Sequence, residues 1–145
     1  MMIRHNLKPE VVPLVRAVLA EKPGQARNRL AVRAEDGNLC YCIEGIVCEA
    51  YRRVHPDNSW WEEDEDGDVF FVHFPPYSAH VTDPMHHDVE KRSCKLPRAV
   101  YLWALKDGQP SMVIYSKDGK DAAHAYGLND LGTTLEEFDA IFAEV

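Results

Sequence analysis

Four cysteines and seven histidines are the residues of this 145-residue chain best suited to chemistry. Three of the cysteines fall in one stretch, Leu39-Cys40-Tyr41-Cys42-Ile43-Glu44-Gly45-Ile46-Val47-Cys48-Glu49. A thiol at a helix N-terminus is acidified, because the helix dipole and the free amides favour the thiolate. A cysteine hydrolase or transferase also needs a histidine base and an Asn or Asp that orients it. Cys42, His73 and then Asn129 or Asp130 supply those types in chain order. The competing reading is structural: Cys42 and Cys48 are small core residues, as free cysteines often are. Asn129 and Asp130 then bond local backbone as turn and cap residues.

Metal chemistry has three candidate places. Cys40, Cys42 and Cys48 contain no Cys-x-x-Cys pair. Six helical residues separate the directions of Cys42 and Cys48 by about 120°, since each residue advances about 100°. A regular helix therefore cannot aim both at one ion. His80, His86, His87 and Cys94, with Asp83 and Asp88, form a donor set that zinc accepts, but their spacing matches no paired-ligand pattern. The expectation is no metal and no cofactor, with 77–95 a long solvated loop. For calcium, Glu62, Asp64, Asp66, Gly67, Asp68 and Val69 fit the early positions of an EF-hand loop. His73 then stands where the bidentate glutamate is required, and a strand follows in place of a helix, so the EF-hand reading fails.

The acidic run has another use. Trp60 and Trp61 precede five consecutive acids, Glu62, Glu63, Asp64, Glu65 and Asp66. Tryptophan is a favoured interface anchor, and carboxylates steer basic partners. The alternative is that both indoles anchor the loop to the core while the acids are hydrated.

Periodicity supplies the elements. Val11, Leu14, Val15, Val18 and Leu19 predict a helix over about 10–21, ended by Pro23-Gly24. Alternation predicts a strand near 29–34, and Asp36-Gly37-Asn38 a turn. Ile43, Val47, Ala50 and Val54 form one stripe of a cysteine-bearing helix over about 40–54, which a short strand can lead into. Gly45 inside it points to close packing. Ser59–Asp68 reads as a loop, and 69–74 as a strand closed by Pro75-Pro76. Pro97 opens a helix near 97–106 with Val100, Trp103 and Ala104 inward. A further strand lies near 111–116. Thr133-Thr134-Leu135-Glu136 reads as a capping box for a closing helix with Leu135, Phe138 and Ile141 or Phe142 inward. The expectation is an α+β fold: a single domain spanning 1–145, with about four helices on a small, mostly antiparallel sheet.

Tyr41-Cys42-x-x-Gly45-Ile46-Val47-Cys48-Glu49, Leu96-Pro97 with Val100 and Trp103, and Leu128-Asn129-Asp130-x-Gly132-Thr133-Thr134 together resemble an uncharacterised family of small phage and bacterial proteins. Its members carry a YCxxGxxC-type helix and a C-terminal LNDxGxS/T motif. The match spans most of the chain and is poor through 55–95. Ile43 and Glu44 replace the family's frequent Cys-Leu. The resemblance implies a mobile-element setting and no catalytic residues.

Bulk properties narrow the classes. Hydrophobic residues are 46% and charged residues 28%, enough for a core, and the net charge is -8. Free-standing nucleic-acid binders are usually basic, so direct nucleic-acid binding is not expected. No apolar run reaches the ~20 residues of a membrane span, and the first residues do not read as a signal peptide. The expected location is cytoplasmic, with cysteines as thiols. The reading that follows is an acidic accessory protein that binds a host or viral protein with a basic surface, for example as an inhibitor of a host protein.

Overall fold

A computed structural model describes residues 4–73, 95–116 and 118–144. Among the described residues, five α-helices and three small antiparallel sheets make an α+β fold, the class that the periodicity predicts. The order is β1 (Arg4–His5), α1 (Val12–Leu19), β2 (Ala31–Arg33), β3 (Leu39–Tyr41), α2 (Ile43–Val54), β4 (Ser59–Glu63) and β5 (Val69–His73), followed by α3 (Arg98–Ala104), β6 (Val113–Tyr115), β7 (Ala122–His124), α4 (Ala125–Leu131) and α5 (Leu135–Ala143). The strands expected near 29–34, 69–74 and 111–116 do not share one sheet. They join β2–β3, β4–β5 and β1–β6–β7 respectively.

Several boundaries move for physical reasons. The turn Asp36-Gly37-Asn38 closes a β2–β3 hairpin, with Val32 opposite Cys40, so the helix begins only at Ile43. Ser59–Asp68 is not a loop. Its first half is β4, in register with β5 from Ser59–His73 to Glu63–Val69. Leu128, Asn129 and Asp130 do not form a turn before the closing helix. They lie within α4, which Gly132 terminates in the left-handed conformation at φ 119°. The capping box is one residue later than expected: Thr134 Oγ1 accepts from Glu137 N at 3.1 Å, and Glu137 Oε1 accepts from Thr134 N at 3.1 Å.

The hub is α2. Every residue from Ile43 to Tyr51 is buried, because α1, α3, α4 and the β3 and β4 strands surround it. Its polar residues Glu44 and Glu49 are therefore inside the fold. Gly45 explains how closely the helix seats. A Cβ there would stand 1.9 Å from the Leu30 carbonyl oxygen. Around α2, a single core joins Val11, Val15 and Val18 of the α1 region, Phe71 of β5, Val100 and Ala104 of α3, and Leu135, Phe138 and Phe142 of α5.

Candidate functional site

Two places collect the residues that sequence singled out. The first is the start of α2. Cys42 is its N-cap, in extended conformation, and its Sγ accepts from Gly45 N at 3.3 Å. Its own N–H donates to Leu30 O at 3.1 Å. The next amide, Ile43 N, donates to Asn129 Oδ1 at 3.1 Å. That same oxygen accepts from Gln25 Nε2 at 2.8 Å, while Asn129 Nδ2 donates to Ala26 O at 2.8 Å. Gln25 Nε2 reaches on to Thr133 O at 2.7 Å, and its Oε1 accepts from Leu135 N at 3.3 Å. Asp130 Oδ1 accepts from Asn28 N at 2.8 Å.

Cys42 and Asn129 are thus brought to one helix end, as a Cys-His-Asn reading requires, with Asp130 alongside. Their employment differs from that reading. Cys42 and Asn129 are both 0% exposed, and the thiol serves as a cap acceptor. A nucleophile buried this way meets no substrate in this conformation. His73 is also buried, at the end of β5 opposite Ser59. The arrangement ties helix starts to the 25–30 segment, which is a structural chemistry. Asn129 and Asp130 do bond backbone groups, but on segments about a hundred residues away in sequence, not locally.

The second place is the β4–β5 hairpin. Alternation sends its two indoles to opposite faces. Trp61 turns inward, its ring 4.9 Å from Phe71 and 5.6 Å from Tyr41. Its Nε1 donates to Glu49 Oε1 at 3.0 Å. Trp61 therefore anchors the hairpin to α2. Trp60 lies on the other face, half-buried, with Nε1 donating to Glu62 Oε1 at 3.1 Å. Glu63 pairs with Arg33 and Asp68 with Arg29. Asp64 holds the turn, accepting from Asp66 N at 2.9 Å and Asp68 N at 3.0 Å. Glu62, Glu65 and Asp66 remain exposed.

No EF-hand forms here: the run folds as a hairpin, and His73 is a buried strand residue. The Asp64, Asp66 and Asp68 carboxylates lie within 4.8 Å of one another. Two of the three are already engaged by the turn amides and by Arg29. His80, Asp83, His86, His87, Asp88 and Cys94 lie outside the described residues.

Beneath the hairpin, Glu49 is an ionic hub that the sequence reading passed over. Arg52 meets it through two bonds of 2.7 Å each, and Arg53 adds one at 3.0 Å. Arg53 also clamps Glu21 of the α1 end. Burial alone would push the Glu49 carboxyl up. The bonds from Arg52, Trp61 and Arg53 outweigh it and hold the group below its ordinary range. Burial, with the Glu49 charge nearby, pushes the Tyr41 phenol up to about 12. The available signal for this hub was the spacing of Arg52 and Arg53 three and four residues after Glu49 on one helix face.

Among the described residues, no helix is long and apolar enough to cross a membrane. No protein-family model, no curated protein and no solved structure matches the chain. The site must therefore be read from its own chemistry.

Proposed function

We propose that this is a small acidic accessory protein that works by binding another protein through the β4–β5 hairpin. The partner is a host or viral protein with a basic surface, in the mobile-element setting that the YCxxGxxC-type and LNDxGxS/T motifs imply. One observation carries the reading: an ordered hairpin holds the exposed carboxylates of Glu62, Glu65 and Asp66 around a turn built by Asp64. Trp60 sits on the same face as Glu62. A preformed turn lowers the ordering cost of binding, and the net charge of -8 accelerates encounter with a basic surface. The Trp61–Glu49 bond fixes the hairpin base.

The test is capture of host proteins on the immobilised chain, in parallel with a Glu62→Lys, Glu65→Lys, Asp66→Lys variant that leaves Asp64, Glu63 and Asp68 in place. The reading expects a basic protein retained by the wild type and lost by the variant, with affinity falling as salt rises. Equal retention by both would rule out the hairpin.

A further inference from the structure

Away from the hairpin, the β1–β6 pair gathers hydrogen-bond donors. Arg4 lies opposite Tyr115, so their side chains share one face of the sheet. The turn Lys106–Gly108 is drawn to the same place, because Lys106 N donates to Asn6 O at 2.8 Å. Arg4, His5, Lys106, Asp107, Gln109 and Tyr115 line a cavity of about 320 Å³ there, within the range of small-ligand sites. Buried Asn6 also lines it and orders its polar groups. Asn6 Nδ2 donates to Gln109 Oε1 at 2.7 Å and to Ser111 O at 2.9 Å, and its Oδ1 accepts from Val113 N at 2.9 Å. With its oxygen so engaged, Gln109 presents its amino group as a donor. His5 packs edge-on against Phe142, and its Nδ1 accepts from Leu7 N at 3.2 Å, so the neutral ring carries its proton on Nε2.

The charges are as lopsided as the donors. Two cations face one carboxylate, Asp107, so the lining is net positive on a chain whose net charge is -8. Among the described residues, neither Arg4 nor Lys106 enters an ion pair, with Asp107 or with any other acid. Burial, and after it the Lys106 charge, hold the His5 imidazole below its ordinary value of 6.5. We infer that this cavity binds a small phosphate monoester, its dianionic head held by Arg4 and Lys106, with Gln109 and the His5 Nε2–H as further donors. A guanidinium fork and several N–H groups suit a phosphate, which offers three strong acceptor oxygens where a carboxylate offers two. The small volume and the negative surroundings favour a small molecule over a polyanion. The site uses no residue of the hairpin, so its fate leaves the protein-binding reading untouched.

The experiment is titration calorimetry of phenyl phosphate on the full chain at low salt, with ligand-observed NMR. Neutral phenol and monoanionic benzoate serve as matched comparators. Phenyl phosphate is expected to bind at millimolar concentration or below, with both comparators at least about tenfold weaker, since charge-assisted hydrogen bonds contribute that much or more. Joint replacement of the cations, Arg4→Gln with Lys106→Gln, should weaken it by about tenfold or more. Asp107→Asn keeps the left-handed turn residue at φ 57°, removes the opposing charge, and should tighten binding about twofold or more. If circular dichroism shows the double variant to be unfolded, Lys106→Glu on the exposed turn decides instead and should weaken binding as much. Three results would overturn the inference: no binding of phenyl phosphate at millimolar concentration, a comparator that binds as well, or affinity unchanged in the folded cation variant or in Asp107→Asn.

Discussion

Replacing Gly45 by alanine tests the central packing of the molecule. On propensity alone the change should help, because glycine costs a helix roughly 1 kcal/mol against alanine. The structure predicts the opposite sign. The new Cβ would lie 1.9 Å from Leu30 O and 2.9 Å from Leu30 C. Both are backbone atoms, so no side-chain rotation relieves the clash. The helix start must retreat from Leu30 by more than an ångström to restore even the tightest ordinary contact. That retreat strains the Cys42 N–H bond to the same Leu30 oxygen, now 3.1 Å, and with it the Ile43–Asn129 bond. Overpacking of a core costs about 1–3 kcal/mol, and a buried hydrogen bond left unmade about as much again. After the propensity gain is set against them, a net loss of about 2–4 kcal/mol is expected. Urea unfolding followed by circular dichroism should show a midpoint lower by about 1–2 M. Gly127→Ala in α4 is the matched control. Its Cβ would meet nothing within 4 Å, so alanine should leave the midpoint unchanged or raise it by up to ~1 kcal/mol equivalent. A Gly45→Ala protein as stable as the wild type would refute the close-approach argument.

Three further outcomes follow from the hydrogen-bond and charge pattern. Asn129→Ala should cost about 3 kcal/mol in the same urea assay, because it strands Ile43 N–H and Ala26 C=O, whereas Asp130→Ala, at a more exposed bond, should cost under about 1 kcal/mol. Alkylation at neutral pH, read by mass spectrometry, should label the half-exposed Cys40 and spare Cys42 and Cys48 until the protein unfolds; rapid labelling of Cys42 would restore the nucleophile reading. The Glu49 carboxyl is held below its ordinary value of 4.5, so its stabilisation is present above that pH and is lost as pH falls through the depressed folded value. Glu49→Gln should accordingly cost about 2–4 kcal/mol at pH 7, and the gap to wild type should narrow steadily below about pH 4.5; a gap that stays constant to pH 3 would contradict the ionic hub.

The parts of this fold carried by local patterns were readable in advance. The α2 stripe of Ile43, Val47 and Ala50 is buried as its spacing demands, and the close packing expected of Gly45 is present. Val54, on the same stripe and at the last position of the helix, is 47% exposed. What escaped was set by tertiary partners. Acids disfavour strands, yet Glu62 and Glu63 join β4 because Phe70 and Val69 stand opposite. Asn and Asp read as turn residues, which hid α4; Asn129 instead faces inward, toward partners 86 to 104 residues away. Two-residue β1 has too little sequence to show a period at all. The cavity beside Arg4 and Lys106 draws on β1, β6 and the turn after α3 together, and no single window of sequence contains it.

The Asn129 cap bears on how the chain is made. The helix at the centre of the molecule is synthesised early, yet its first amide gains an acceptor only when a residue 86 positions later emerges. Strand β1 waits even longer for β6, since Arg4 lies opposite Tyr115. Closing loops of this length is entropically unfavourable until most of the contacts can form together. A nascent chain halted anywhere before α4 would hold α2 with an open end and an incomplete core, exposed to proteases and to chaperones. The emergence of α4 is then the step that closes the start of α2.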